Sequence, residues 1–125
     1  MKLLLDTCAL IWWTLDQEKL STDTLMTLNK NELLLSSISI WEVGIKIKNN
    51  KLNIGMDIQT YVDRLKELSM LKIIPVNEEI WLKNLELDWA HKDPADRAIV
   101  ATASLYQAWI VTTDQTICSY YDKIL

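Results

Sequence analysis

The chain is short of the residues that small secreted or membrane proteins rely on. Two cysteines, Cys8 and Cys118, occur in 125 residues. Two thiols build neither a disulfide framework nor a Cys-rich zinc site, and both read as reduced side chains of an intracellular protein. The single histidine, His91, is a poor basis for a zinc centre and reads as a surface or substrate-contacting residue. Gly and Pro occur twice each, which leaves no material for long flexible linkers. Phe is absent, so Trp and Tyr make up the whole aromatic set. No stretch approaches the roughly 18 apolar residues that span a bilayer. The opening Met1-Lys2-Leu3-Leu4-Leu5 briefly resembles a signal peptide, but Asp6 breaks the run and no small-residue cleavage site follows. A cytoplasmic location is the expectation. Positive charge is also in deficit: 13 Lys and Arg stand against 17 Asp and Glu, a net charge of −4. A general nucleic-acid-binding module carries a basic face to displace counterions, so that class is disfavoured. A protein whose acids are neutralised by bound divalent cations escapes the argument.

Half of the residues are apolar and about a quarter are charged, an ordinary globular composition for one domain over residues 1–125. Lys2–Leu5, Leu33–Leu35, Lys72–Ile74 and Trp109–Thr112 read as short strands, and their unbroken apolar runs suit strands buried on both faces. Helical patterns fall between them: Thr7–Leu15, a segment capped by Ser21 or Thr22, Ser39–Asn49, Asp57–Met70 and Asn77–Trp89. Asp93 as N-cap and Pro94 at the first helical position open another, running to about Gln107. Asp114 opens a last short helix, and Lys123–Leu125 adds a possible edge strand. Alternating strands and helices define an α/β class with a central, mainly parallel sheet flanked by helices.

In such sheets ligands bind beyond the carboxyl ends of the strands, and four acids fall there. Asp6 follows the first strand and Asp114 the fourth. Glu42 is placed in the first turn of the helix after the second strand, and Asp96 in the first turn of the helix leading to the fourth. Carboxylates about 4 Å apart repel by ~4 kcal/mol at an effective dielectric of 20, so convergence calls for protonation or a bridging cation. An all-oxygen donor set suits Mg²⁺ or Mn²⁺. Thr7, Ser39, Thr112 and Thr113 are candidates for holding waters around it. Each acid also has a plainer reading. Ser39 and Glu42 fit a capping box, and Glu42 sits four residues before Lys46. Asp96 suits the helix dipole, Asp114 an N-cap, and Asp6 a strand-end turn. Lys46, Lys48 and Lys51 read either as a solvated helix face or as phosphate contacts. Trp12 and Trp13 read as core or interface residues.

Together these residues resemble the PIN-domain family, in particular its VapC-like toxins. The segments that carry the resemblance are Leu3-Leu4-Leu5-Asp6-Thr7-Cys8-Ala9-Leu10, Ser36-Ser37-Ile38-Ser39-Ile40-Trp41-Glu42-Val43, His91-Lys92-Asp93-Pro94-Ala95-Asp96-Arg97 and Ile110-Val111-Thr112-Thr113-Asp114. The resemblance implies a PIN fold and a Mg²⁺- or Mn²⁺-dependent endoribonuclease. It also implies Asp6, Glu42, Asp96 and Asp114 as catalytic and metal-binding acids, and a VapB-like antitoxin partner. Homodimers are common in that family. Lys46, Lys48, His91 and Arg97 are the candidate RNA contacts. Two departures stand out. Ala95 replaces an expected aromatic, which should loosen packing near Asp96. Gln115 and Ile117 stand where many members have a further acid, which favours one ion over two. A receiver-type phospho-acceptor domain is disfavoured, because Asp6 lacks a paired acid and no lysine lies near Asp114. The remaining alternative is a PIN-like domain kept for partner binding.

Overall fold

The structure, a computed structural model, describes residues 1–125. Four strands, β1 (Lys2–Leu5), β2 (Glu32–Ser36), β3 (Leu71–Ile74) and β4 (Trp109–Val111), form one sheet in the order β3-β2-β1-β4. Every pairing is parallel. Seven helices flank it: α1 (Thr7–Leu15), α2 (Thr22–Asn29), α3 (Ser37–Lys48), α4 (Ile58–Lys66), α5 (Glu78–Glu86), α6 (Pro94–Tyr106) and α7 (Gln115–Cys118).

The triple-leucine runs follow from this architecture. Side chains alternate across a strand, so Leu3, Leu5, Leu33 and Leu35 enter one core with Leu10 and Trp13 of α1 and Leu65 of α4. Leu4, Leu34 and Ile110 enter a second core on the opposite face with Ile80 of α5 and Ile99 of α6. Helix α6 lies closest to that face: Ala98 through Ala103 are all buried, which the small side chains Ala98, Ala101 and Ala103 permit. β1 lies between β2 and β4. The chain passes from β1 outward through β2 to β3 and then crosses back to β4 on the other side of β1, so the C-terminal ends of β1 and β4 flank the topological switch point where open α/β sheets bind ligands.

Several element ends differ from the sequence expectation. Helix α3 starts at Ser37, not Ser39, because Ser36, at the end of β2, is the N-cap and its hydroxyl accepts from the Ile38 amide at 3.2 Å. Glu42 therefore sits in the second turn, and the capping box with Ser39 is lost. Helix α4 stops at Lys66 instead of continuing to Met70, and α5 stops at Glu86 instead of Trp89. The edge strand at 123–125 reduces to one parallel bridge, Ile110 to Ile124.

Candidate active site

Asp6, Asp96 and Asp114 stand at helix starts or strand ends, and Glu42 lies in the second turn of α3. Asp6 joins β1 to α1 with no intervening loop and is the N-cap of α1, its Oδ1 accepting from the Ala9 amide at 2.7 Å. Its other oxygen accepts from the Thr112 hydroxyl, which in turn accepts from the Asp114 amide at 3.0 Å. One threonine just past β4, 106 residues from Asp6 in sequence, thus ties Asp6 to Asp114. Asp114 caps α7 through Oδ1, on the amides of Thr116 and Ile117, and its carboxylate is exposed. The N-cap reading of Asp114 is thereby met, and it leaves the second carboxylate oxygen outside the cap.

Thr7, the first residue of α1, donates to Glu42 Oε1 and lies 2.9 Å from the Ser39 hydroxyl. Ser39, fully buried, is thus part of the support beneath Glu42 instead of a cap. Asp96 is the third residue of α6, its amide held by Asp93 Oδ1 at 3.0 Å. Its carboxylate meets His91 Nε2 at 2.8 Å. His91 is placed from behind: Trp89 packs on its ring at 4.9 Å and stacks on Tyr120 at 4.6 Å and 7°. Thr113 is exposed and supports none of the four acids.

The acids share one electrostatic neighbourhood. Burial pushes the Asp6 carboxyl above the ordinary range; the Thr112 and Ala9 hydrogen bonds oppose this, and the charges of Asp114 and Asp96 add to it. Burial also raises Glu42, opposed by the Thr7 hydrogen bond and Lys46 and reinforced by Asp96 and Asp93. Asp96 is raised by burial and by Asp93 and Asp114, against the pull of His91. Asp93, which capping alone appeared to explain, therefore also adds negative potential at the rim. Asp6 is only 7% exposed, and neither Asp6 nor Glu42 has a salt-bridge partner.

A partly buried cluster of acids, of which only Asp96 meets a basic group, is unfavourable unless a cation offsets it, and the four carboxylates offer only oxygen. That chemistry fits a hard divalent ion. As the side chains stand, no three His, Cys, Asp or Glu groups enclose a metal position; Asp96 is turned toward His91 and Glu42 toward Thr7.

Of the candidate contacts, Arg97 is engaged within the fold. Its guanidinium donates to Asn84 Oδ1 and to the carbonyls of Asn84, Leu87, Trp89 and His91. Every side-chain nitrogen donates within the fold, tying α5 and the 87–91 segment that carries His91 to α6. No short-range pattern marks this role, since all five acceptors lie 6 to 13 residues before it.

A family model described as the PIN domain matches residues 3–123. The chain belongs to the PIN domain family. No curated protein matches it. Among solved structures, this PIN domain is similar to a toxin-antitoxin complex from Klebsiella pneumoniae, with a TM-score of 0.65 and 20% identity over 98% of this chain and 94% of that one. It is similar to FitAcB from Neisseria gonorrhoeae, with a TM-score of 0.67 and 20% identity over 98% and 94%. FitAB bound to an IR36 DNA fragment gives a TM-score of 0.60 and 20% identity over 90% and 85%. At that identity the likeness is one of fold. No helix of this PIN domain is long and apolar enough to cross a membrane.

Proposed function

We propose that this PIN domain is a Mg²⁺- or Mn²⁺-dependent endoribonuclease, and that Asp6, Glu42, Asp96 and Asp114 hold its metal and carry its catalysis. The observation that carries the reading is the state of the acids: three of the four have carboxyls pushed up by burial and by one another, at the rim where the sheet topology opens a crevice. Perturbed titratable groups grouped in a crevice mark functional sites more often than structural ones. PIN domains are generally nucleases, and family membership adds that weight.

A divalent ion held there supplies Lewis acidity to a phosphodiester and a more acidic water for in-line hydrolysis. The chain's own part is positional. Thr112 fixes Asp6 against Asp114, Thr7 and Ser39 fix Glu42, and His91 holds Asp96. Because Gln115 and Ile117 follow Asp114, one ion is favoured in the absence of substrate.

The toxin-antitoxin setting of a similar structure supports a toxin role, with a VapB-like antitoxin covering the site. A homodimer in the cytoplasm completes the reading. The test is end-mapped cleavage of total cellular RNA by the purified protein with Mn²⁺, with chelator, and with Asp96→Asn. Discrete new ends requiring both metal and Asp96 support the nuclease. Ends equal to the Asp96→Asn background, from folded protein free of antitoxin, overturn it in favour of a binding module.

A further inference from the structure

Beside the acidic rim lies an open cleft of about 400 Å³ between α1, the turn after it, and the C-terminal end of α3 with its following loop. Its wall includes Cys8, Trp12, Asp16, Lys19, Lys46 and Lys51. Three lysines meet one acid, and that acid already pairs with Lys19 at 4.0 Å. The other two lysines, Lys46 and Lys51, make no ion pair, on a chain whose net charge is −4. The concentration comes from two separate segments, which is why the Lys46-Lys48-Lys51 stretch only partly revealed it. Lys48 does not line the cleft, whereas Lys19, from the turn after α1, does.

Trp12 is the second observation. Trp13 is a core residue, 6% exposed. Trp12 is half-buried and belongs to neither hydrophobic core, so packing of the fold does not account for it. The cleft also joins the acids directly. Cys8 is two residues past Asp6, and Lys46 is one turn past Glu42 on α3.

Lysines act as point charges for phosphate, and an indole face stacks on any base, which is how single-stranded nucleic acid is gripped without sequence reading. We propose that this cleft seats the nucleotide next to the scissile phosphodiester of a single-stranded RNA, with Lys19, Lys46 and Lys51 on backbone phosphate and the Trp12 ring against the base. The proposal rests on the nuclease reading above and adds to it where the substrate strand runs: from the acids toward α1 and the end of α3.

The experiment is anisotropy titration of a cleavage-resistant, 2′-O-methylated single-stranded RNA against the full chain, between about 50 and 200 mM salt. The variants are Lys19→Gln/Lys51→Gln and Trp12→Leu. Lys66→Gln/Lys72→Gln, at a cleft on the opposite rim that Glu32 lines, is the charge-matched control. The double lysine variant lowers the slope of log K against log salt by about 0.7 per lost phosphate contact, about 1.4 in all. Trp12→Leu weakens binding about 5- to 150-fold with the slope unchanged. The control leaves both unchanged. If Trp12→Leu does not fold, the lysine variant alone decides. Unchanged slope and affinity in the folded cleft variants, or equal losses in the control, overturn the seat. Oligoglutamate binding with the same dependence on Lys19, Lys51 and Trp12 overturns it in favour of an acidic peptide. Metal- and Asp96-dependent cleavage with KM untouched by the cleft variants removes the seat and leaves the nuclease. Cleft-dependent RNA binding by a protein that cleaves nothing keeps the seat and removes the nuclease.

Discussion

Thr112→Val isolates the link between the two strand-end acids. The substitution keeps shape and branching and deletes one hydroxyl. In the native protein that hydroxyl donates to a carboxylate that is 7% exposed and accepts the amide of Asp114. A hydrogen bond to a charged group contributes about 1.5–3 kcal/mol, more than the ~1 kcal/mol of a neutral pair. Asp6 keeps only its bond from Ala9, and the Asp114 amide, at an exposed residue, turns to water. The expected loss at neutral pH is about 2–3 kcal/mol, a large share of a stability of about 5–15 kcal/mol. In acid the loss should shrink toward about 1 kcal/mol, because a protonated Asp6 no longer needs a donor. Thr112→Ser keeps the hydroxyl and should lose no more than about 1 kcal/mol for its buried methyl. Urea unfolding of the metal-free protein at both pH values reads all three. A loss under ~0.5 kcal/mol for valine, or one that is the same in acid and at neutral pH, contradicts the charge-assisted bond that the argument depends on.

The remaining predictions test other parts of the rim. Asp6→Asn retains an N-cap but removes a buried charge. Since the native Asp6 carboxyl is raised above its unfolded value, the wild type binds its proton more tightly when folded and loses that stability as pH rises through the native value. The variant's stability relative to the wild type should therefore rise as pH rises above about 4 in metal-free unfolding, while cleavage is lost; a relative stability that falls with pH contradicts the sign. Glu42→Gln should weaken Mn²⁺ binding by calorimetry about tenfold or more and change the melting temperature little; the reverse pattern makes Glu42 a structural residue. Arg97→Lys replaces a planar fork that serves five acceptors and should destabilise by about 2–4 kcal/mol. Hydrogen exchange should then quicken across residues 84–93, and unchanged exchange there argues against that tie.

The strands and helix order were legible because they depend on local rules: apolar runs for buried parallel strands, Asp93-Pro94 for the start of α6, and a Ser21 or Thr22 cap for α2. The start of α3 was not, because Ser36, Ser37 and Ser39 are each chemically able to cap. Only the strand pairing of Ser36 with Ile74 decides among them. That two-residue difference moved Glu42 by half a turn and turned a capping residue into one supported by Thr7. Asp6 was legible as a strand-end acid, but its double role as cap and Thr112 acceptor was not, since no local pattern announces a partner 106 residues away. Arg97 reads from sequence as a candidate RNA contact; four of its five acceptors are backbone carbonyls, to which sequence is nearly blind. Trp12 and Trp13 are indistinguishable neighbours in sequence, and only the fold sorts one into the core and the other into a cleft.

The central place of β1 sets a timetable. Its inner neighbour β2 is made within the next thirty or so residues, but its other neighbour, β4, comes last of the four strands. At a synthesis rate of about 5–20 residues per second, Asp6 waits about 5–20 s for Thr112. During that interval the outer edge of β1 is open and the Asp6 carboxylate lacks both its donor and its neighbour Asp114. The partly made chain has its first acid but not the pocket around it. Whatever chemistry the rim performs begins only once nearly the whole domain has left the machine that made it.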